Sequence, residues 1–407
     1  MNYESAKNLL VKYGQEHILN YYDELDENQR NKLLAQINEI DFTLLDSLKE
    51  KSNAVRSNIK PISAVTIEDI AQNSDEYYNT GISAIKAGKV AAVLLAGGQG
   101  TRLGFDKPKG MFKIGKTKEL YIFQCLVNNL MDVVKITGTW IPFVIMTSEK
   151  NNEETINFFK EHNYFGYNSE YVSFFIQDMA PSVDYNGKIY MEAKDTISSS
   201  PNGNGGWFSS LVHAGIFDKL HSQGVEWLNV FAVDNVLQRI ADPRFIGAVI
   251  CTGSNSGSKV VSKVSPDENV GVMCLDDGKP SIVEYYELTK DMRYQLLDNG
   301  QLAYRYGVIL NYLFHMDSLV EINKEKMPVH IVEKIIPYMD ENGNYINPNE
   351  KNGYKFETLI LDMIHMNKTC LPYEVERRKE FAPVKNAIGI DSVDTARDLL
   401  KENGVEI

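Results

Sequence analysis

Along the first fifty residues apolar positions recur at helical spacing. In DENQRNKLLAQINEI, Leu33, Leu34, Ile37 and Ile40 fall three and four apart, the stripe of an amphipathic helix. Asp26 with Gln29 has the form of a capping box ahead of it. Residues 51–88, which include SNIKPISAV, read as a connecting segment followed by further helix. From residue 89 the period changes. Short apolar runs, VAAVLLA (90–96), PFVIMT (142–147), VSFFI (172–176) and LNVFAV (228–233), alternate with helical stretches at 120–134, 153–162 and 207–221. Such alternation predicts an α/β fold, a mostly parallel sheet flanked by helices. Later, GVMCLDDGKPSIVEYYEL (271–288) predicts a hairpin turning at Asp277–Gly278. Residues 353–366 fit either an amphipathic helix or a buried strand. After Lys385 only 22 residues remain, mostly one helix. The expected division is a helical region over 1–88, a main domain over 89–383 and a short tail over 384–407.

Composition narrows this picture. At 407 residues, 43% hydrophobic and 24% charged, the chain is an ordinary globular protein large enough for two or three domains. No apolar run near these motifs could span a bilayer, and the N-terminus has no secretory pattern; no membrane association is expected. Four scattered cysteines without a C-x-x-C pair argue against zinc or a disulfide framework and fit a cytoplasmic setting. A net charge of −13 disfavours nucleic acid as a partner. Residues 102–118 depart from that background: Arg102, Lys107, Lys109, Lys113, Lys116 and Lys118 face only Asp106. That patch is either a solvated loop or a seat for a small, highly charged anion.

Two glycine-rich stretches compete for the anion. GMFKIGKT (110–117) matches G-x-x-x-x-G-K-[ST]. A P-loop, however, leaves a buried strand and wraps phosphate with small residues. Here Lys107-Pro108-Lys109 precedes it and Met111-Phe112-Lys113-Ile114 fills it, so the match reads as a chance one. GGQGTRLG (97–104) does leave an apolar strand. It lacks the spacing and the ribose-binding acid of the dinucleotide fingerprint. Its glycines suit a tight turn as well as a phosphate grip, while Arg102 and Lys109 favour phosphate. PNGNGG (201–206) alone reads as a loop. Asp234, beyond LNVFAV, suits Mg²⁺ at a phosphate site or a helix N-cap. No pattern for a hydrolase nucleophile is present.

LAGGQGTRLG, PKGM, the glutamine of FFIQDMAPS, PNGNGG, VDN, DPRFIG, the VEYYE hairpin, IPY and EFAPVKN follow in this order. The order resembles that of the eukaryotic UDP-N-acetylhexosamine pyrophosphorylases over roughly residues 90–390. UDP-glucose pyrophosphorylases usually read NGGLGT at the first motif, and broad-specificity UDP-sugar enzymes carry Leu in place of Gln99. The resemblance implies a Rossmann-like, GT-A-like nucleotidyltransferase fold. It implies the reaction of UTP with N-acetylglucosamine 1-phosphate to UDP-N-acetylglucosamine and pyrophosphate, with Mg²⁺ or Mn²⁺. By the same resemblance Arg102, Lys109 and Lys385 serve catalysis, and Gly97, Gly98, Gln177, Gly203 and Asn204 hold the nucleotide. Asn235, Gly271, Glu284, Tyr285 and Asn311 would hold the sugar, and Asp234 the metal. Three departures stand out. The family's Phe-x-Phe is Leu359-Ile360-Leu361, GNIA is GVIL before Asn311, and relatives carry a longer C-terminal domain. The short tail leads us to expect a monomer. The rival readings are a broader UDP-sugar enzyme, a P-loop ATPase or kinase using 110–117, and a non-catalytic nucleotide-sugar sensor.

Overall fold

The computed structural model describes residues 1–48 and 58–407. Contacts group the chain into two units that each draw on distant segments. One takes the described residues of Met1–Val55 with Asp178–Gly206 and Met327–Ile360; the other takes those of Arg56–Gln177 with Trp207–Lys326 and Leu361–Ile407.

The larger unit is built on one sheet. Its strands are β1 (Ile59–Pro61), β2 (Val90–Leu95), β3 (Phe143–Thr147), β4 (Val172–Ile176), β5 (Trp227–Ala232), β6 (Ser256–Ser262), β7 (Val272–Asp276), β8 (Lys279–Val283), β9 (Tyr306–His315) and β10 (Leu371–Glu374). The main path runs β1-β7-β9-β5-β2-β3-β4. Its β5-β2-β3-β4 half is parallel, and β2 and β3 are buried along their whole length. Strands covered on both faces have no polar alternation, which is why VAAVLLA and FVIMT are continuous apolar runs. Strand β9 then pairs antiparallel with β5 and β6. The hairpin β7–β8 turns at Asp277 and Gly278, both at positive φ, as a two-residue turn requires. The expected helix over 207–221 is two helices, Trp207–His213 and Ile216–Ser222, parted by Gly215 at φ 71°. Residues 353–366 contain both a strand, Gly353–Glu357, and a helix, Ile360–Met366.

The smaller unit explains why 1–88 is not a domain of its own. Helix Glu27–Glu39 carries both halves of the Asp26–Gln29 capping box and buries Leu33, Leu34 and Ile37. Two glutamines join this helical region to chain 159–174 residues further on. The Gln15 side chain donates to the Gly187 carbonyl at 2.9 Å and accepts from Ile189 N–H at 2.9 Å. The Gln36 side chain accepts from Ile197 N–H at 2.8 Å and donates to the Asp195 carbonyl at 3.1 Å. Each amide thus substitutes for a neighbouring strand. The connecting segment splits: through residue 57 it lies outside the described residues, and beyond that β1 and helix Ser74–Lys86 belong to the larger unit.

Helix Ser74–Lys86 crosses helix Pro243–Cys251 with backbones almost touching. A methyl group at Gly247 would land on the Tyr77 carbonyl, and one at Gly81 on that of Pro243. Helix propensity alone would make Gly247→Ala stabilising by about 1 kcal/mol. Overpacking costs about 1–3 kcal/mol, and no flexible side-chain end is available to yield. With backbone as the obstacle the cost sits at the upper end of that range, so we expect Gly247→Ala to lower the urea midpoint, reflecting a net loss of about 1–2 kcal/mol in unfolding free energy. A midpoint at or above the parent's would mean that the two backbones do not meet.

Candidate active site

Strands β2 and β5 end in step, Leu95 paired with Ala232, and two residues beyond stand Gly97 and Asp234. Strand β4 ends at Ile176, opposite Thr147 of β3, and is followed by Gln177. Ligands of open α/β sheets bind beyond these carboxyl ends. The loop after β2 is fixed from beneath: Ala96 N–H donates to the Met146 carbonyl at 2.9 Å, and the Asn151 amide donates to the Ala96 carbonyl at 3.1 Å. A Cβ on Gly97 would sit 3.0 Å from Gln177 Oε1, so glycine lets the loop lie against that amide. Gln177 is buried, its own N–H bonded to the Thr147 carbonyl.

Backbone N–H groups separate the two glycine-rich stretches. Among the described residues, no protein acceptor takes the N–H of Gly97, Gly98 or Gln99. Gly100 differs, because its N–H donates to the Lys107 carbonyl and a Cβ there would strike Phe105; it shapes the loop. Lys109 N–H donates to the Gly98 carbonyl at 3.2 Å, which joins PKGM to GGQG. In GMFKIGKT four of the donors are already used. Met111 donates to Pro108, Phe112 to Lys109, and both Ile114 and Gly115 to Leu120, at 2.9–3.1 Å. Ile114 is fully buried, and Lys116 is 53% exposed, 3.8 Å from Asp394. The geometry does not fit a P-loop: this stretch is a largely self-bonded turn that follows no strand.

Three charged groups act on Lys109 at the strand ends. Burial holds the Lys109 ammonium below the ordinary lysine pKa; Asp234 opposes that shift, while Arg102 and Lys385 add to it. Arg102 itself is exposed. Lys385 pairs with Asp391 at 3.3 Å and lies 5.9 Å from the Phe381 ring. Three cations and two carboxylates, Asp234 and Asp391, are thus found at this edge.

The expected sugar residues fare differently. Gly271 lies against Glu284: a Cβ on it would sit 3.5 Å from Glu284 Oε2 and 3.3 Å from Ile282. Tyr285 is 38% exposed and stacks edge-on with Tyr286. Asn235 and Asn311 face inward, in contrast to their expected sugar-binding roles. The Asn235 amide donates to the Glu380 carbonyl at 2.8 Å and accepts from Ala382 N–H at 2.9 Å. Asn311, wholly buried, accepts from Asn229 at 2.8 Å and donates to the Arg239 carbonyl at 3.2 Å. Leu310 before it adopts φ 51° where the register with β6 shifts, and the bulge turns Asn311 into this network. With both ends of each amide engaged, the two asparagines hold backbone.

Gly203 and Asn204 belong to the smaller unit. Gly203 is at φ 87°, and a Cβ would collide with the Thr358 carbonyl. The Asn204 side chain accepts from Ile360 N–H at 3.0 Å. Leu359 and Leu361 are half-buried and Ile360 buried. The sequence reading overlooked Asp391 and a buried charge cluster around Lys259. A lysine inside the apolar SGSKVVS was the available signal, because such groups are enclosed only when paired.

A parallel α/β sheet with glycine-rich backbone and clustered cations at its carboxyl edge defines a nucleotide-phosphate-handling enzyme. Within that class the chain belongs to the UTP–glucose-1-phosphate uridylyltransferase family, whose model matches residues 41–396. Among its relatives, the mouse UDP-N-acetylhexosamine pyrophosphorylase-like protein 1 is 36% identical over 93% of this chain and 79% of its own length. The yeast UDP-N-acetylglucosamine pyrophosphorylase is 35% identical over 96% and 88%. The solved structure of the Trypanosoma brucei uridine diphosphate N-acetylglucosamine pyrophosphorylase, in complex with an inhibitor, superposes with a TM-score of 0.84 at 29% identity, covering 98% of this chain and 84% of that one. A UDP-glucose pyrophosphorylase from Leishmania major, at 18% identity and TM-score 0.67, shares the fold.

The cation cluster generates a binding test with inorganic pyrophosphate as the probe. Losing one charge-assisted contact costs about 1.5–3 kcal/mol, so Arg102→Ala should weaken pyrophosphate binding by roughly tenfold or more. Lys116→Ala should change it by less than about twofold, since that ammonium is exposed. Calorimetry giving the opposite order would restore the P-loop assignment.

Proposed function

We infer that this chain is a uridylyltransferase that makes UDP-N-acetylglucosamine and pyrophosphate from UTP and N-acetylglucosamine 1-phosphate. The observation that carries it is the gathering of Arg102, Asp234 and Lys385 about Lys109, at the sheet edge where Gly97 lies against Gln177, in a member of this family. In the step, a phosphate oxygen of the sugar phosphate forms a bond to the α-phosphorus in line. The bond from the α-phosphorus to the β-phosphate's bridging oxygen breaks, and its electron pair leaves on pyrophosphate. No proton need move and no protein nucleophile is required. Catalysis is then alignment plus neutralisation of the growing charge. Gly97 and Gly98 offer N–H groups to the nucleotide, Gln177 the mixed donor and acceptor edge of an amide to uracil, and the cations face the departing phosphates. Glu284 and Gly271 are the side proposed for the sugar.

Among the described residues no three His, Cys, Asp or Glu side chains form a metal cluster. The lone Asp234 nonetheless suits Mg²⁺, which at phosphate sites takes one or two carboxylates and completes its shell with phosphate oxygens and water. When bound, the ion would supply further charge neutralisation at those oxygens. No helix among the described residues is long and apolar enough to cross a membrane. Cys125, Cys251 and Cys370 carry free thiols, which supports a reducing, cytoplasmic setting.

Two measurements test this reading. With UTP, kcat/KM for N-acetylglucosamine 1-phosphate should exceed that for glucose 1-phosphate by about tenfold or more, on the order of 1.4 kcal/mol. Equal use of the two would support the broader UDP-sugar alternative. The pH profile tests Lys109 separately. Its ammonium is the form that faces phosphate, and its depressed pKa means that this form is lost at a lower pH than for an exposed lysine. The alkaline limb of kcat/KM should therefore fall early, and Lys109→Arg should move it to higher pH, because arginine keeps its charge. A limb unmoved by that substitution would assign the titration elsewhere.

A further inference from the structure

DPRFIG, which has no role in the reaction above, and EFAPVKN, which supplies Lys385, meet at one fully buried lysine. Lys259, on β6, is 0% exposed, with Nζ 2.8 Å from Asp242 Oδ2, 2.6 Å from Glu380 Oε2 and 3.3 Å from the Arg239 carbonyl. Glu380 is itself buried, and its backbone carbonyl accepts from the Asn235 amide. Asn235 Oδ1 then accepts from Ala382 N–H, and Val384 N–H donates to the Asp234 carbonyl at 2.8 Å. The next residue is Lys385, which with Asp234 acts on Lys109.

We propose that Glu380, clamped by Lys259, is a positioning residue that sets the register of the strip Glu380–Lys385 against Asp234–Asn235 and so aims Lys385 at the reacting phosphates. The inference rests on the uridylyltransferase reading. The strip is too short to hold register by itself. Asn235 and Pro383 form a single bridge, and backbone bonds can re-form after a slip. A slip of one residue would move Lys385 by roughly 3.3 Å and turn its side chain to the opposite face. The Glu380 carboxylate cannot slip, because leaving Lys259 would strand a buried ammonium beside one remaining carboxylate. The ion cluster thus converts the fixed position of β6 into a fixed position for a lysine five residues beyond its anchor.

The test is a double-mutant cycle. Glu380→Gln keeps the volume and a hydrogen-bonding group while removing the charge that Lys259 grips. If Glu380 acts through Lys385, Glu380→Gln alone should lower kcat for pyrophosphate release by roughly tenfold, within the range of couplings between linked residues. In a Lys385→Ala background the same substitution should change the residual kcat by less than about twofold. Glu380→Asp, which keeps the charge but shortens its reach, should show the same pattern more mildly. It carries the cycle if the glutamine variant does not accumulate as folded protein. Additive losses in the two backgrounds, or a lowered melting temperature with kcat unchanged, would overturn the proposal, since both describe a merely structural cluster. A parent protein without turnover on any sugar 1-phosphate would instead sink the uridylyltransferase reading.

Discussion

Enclosing the Lys259 ammonium is the constraint on which the active edge of the sheet depends. Desolvating such an ion costs several kcal/mol even after relaxation, and burial works against its charge. Asp242 and Glu380 overcome that, so the lysine pKa stands above its ordinary value. Burial opposes the charge on Asp242 as well, and Lys259 prevails, lowering its pKa. On Glu380 burial, with Asp242 adding to it, prevails over Lys259, and its pKa is raised. The three groups come from β6, the cap of helix Pro243–Cys251 and the strip before Lys385. Well-packed apolar residues could match such a cluster in stability. Apolar contacts, however, tolerate sliding, and a charge pair at 2.6–2.8 Å does not.

The same preference for polar ties over packing runs through the segment after β5. Asn129 donates to the Val236 and Gln238 carbonyls, Gln238 to that of Ala232, and Asn229 accepts from Ala241 N–H. Asn311 completes the set from the bulge in β9. A loop fixed by buried amides has few alternative arrangements, because each would leave a donor or acceptor unpaired at about 1–3 kcal/mol. Asp234 at the head of this segment is therefore held rigidly while its side chain stays partly open. Preorganised charge at a rigid strand end is what transfer of a phosphoryl-type group demands. The cations gathered there contrast with a chain of net charge −13, so the site is a local well for anions on a surface that otherwise repels them.

How much of this was legible in the sequence follows from how local each cause is. The strands of the parallel half, the Asp26–Gln29 cap and the Asp277–Gly278 turn depend on neighbours within a few residues, and each stands where the pattern put it. The single helix expected over 207–221 failed at Gly215, where a left-handed residue ends one helix and opens the next. The two-unit organisation was not legible at all. It rests on Gln15 and Gln36 reaching backbone at residues 187–197, and a polar residue on a helix face gives no sign of a distant partner. At the expected site, Arg102, Asp234 and Lys385 each bear on Lys109. Asn235 and Asn311 stand in the expected segments but turn inward, a direction set by Glu380, Ala382 and a bulge that spacing cannot reveal.

The two glycine-rich stretches show why a motif needs hydrogen-bond accounting before it carries chemistry. Both offer glycine, a nearby lysine and a turn. A phosphate grip works by presenting N–H groups that have no other acceptor, since a donor already bonded must give up that bond first. In GMFKIGKT the turn and its pairing with residues 120–122 use the N–H groups of Met111, Phe112, Ile114 and Gly115, and Arg397 secures the turn by donating to the Ile114 carbonyl. In GGQGTRLG the N–H groups of Gly100, Leu103 and Gly104 are used, that of Gly100 to close the loop on Lys107, while Gly97, Gly98 and Gln99 lie just past the end of β2 with theirs unbonded to protein. The strand before the loop decides the outcome: β2 is held between β5 and β3, so its ladder is satisfied by neighbours and the loop beyond it need not bond to itself. GMFKIGKT follows no strand, and a free-standing turn is stable only when it satisfies its own backbone. The context of a motif, more than its letters, therefore determines whether its N–H groups are available to a ligand.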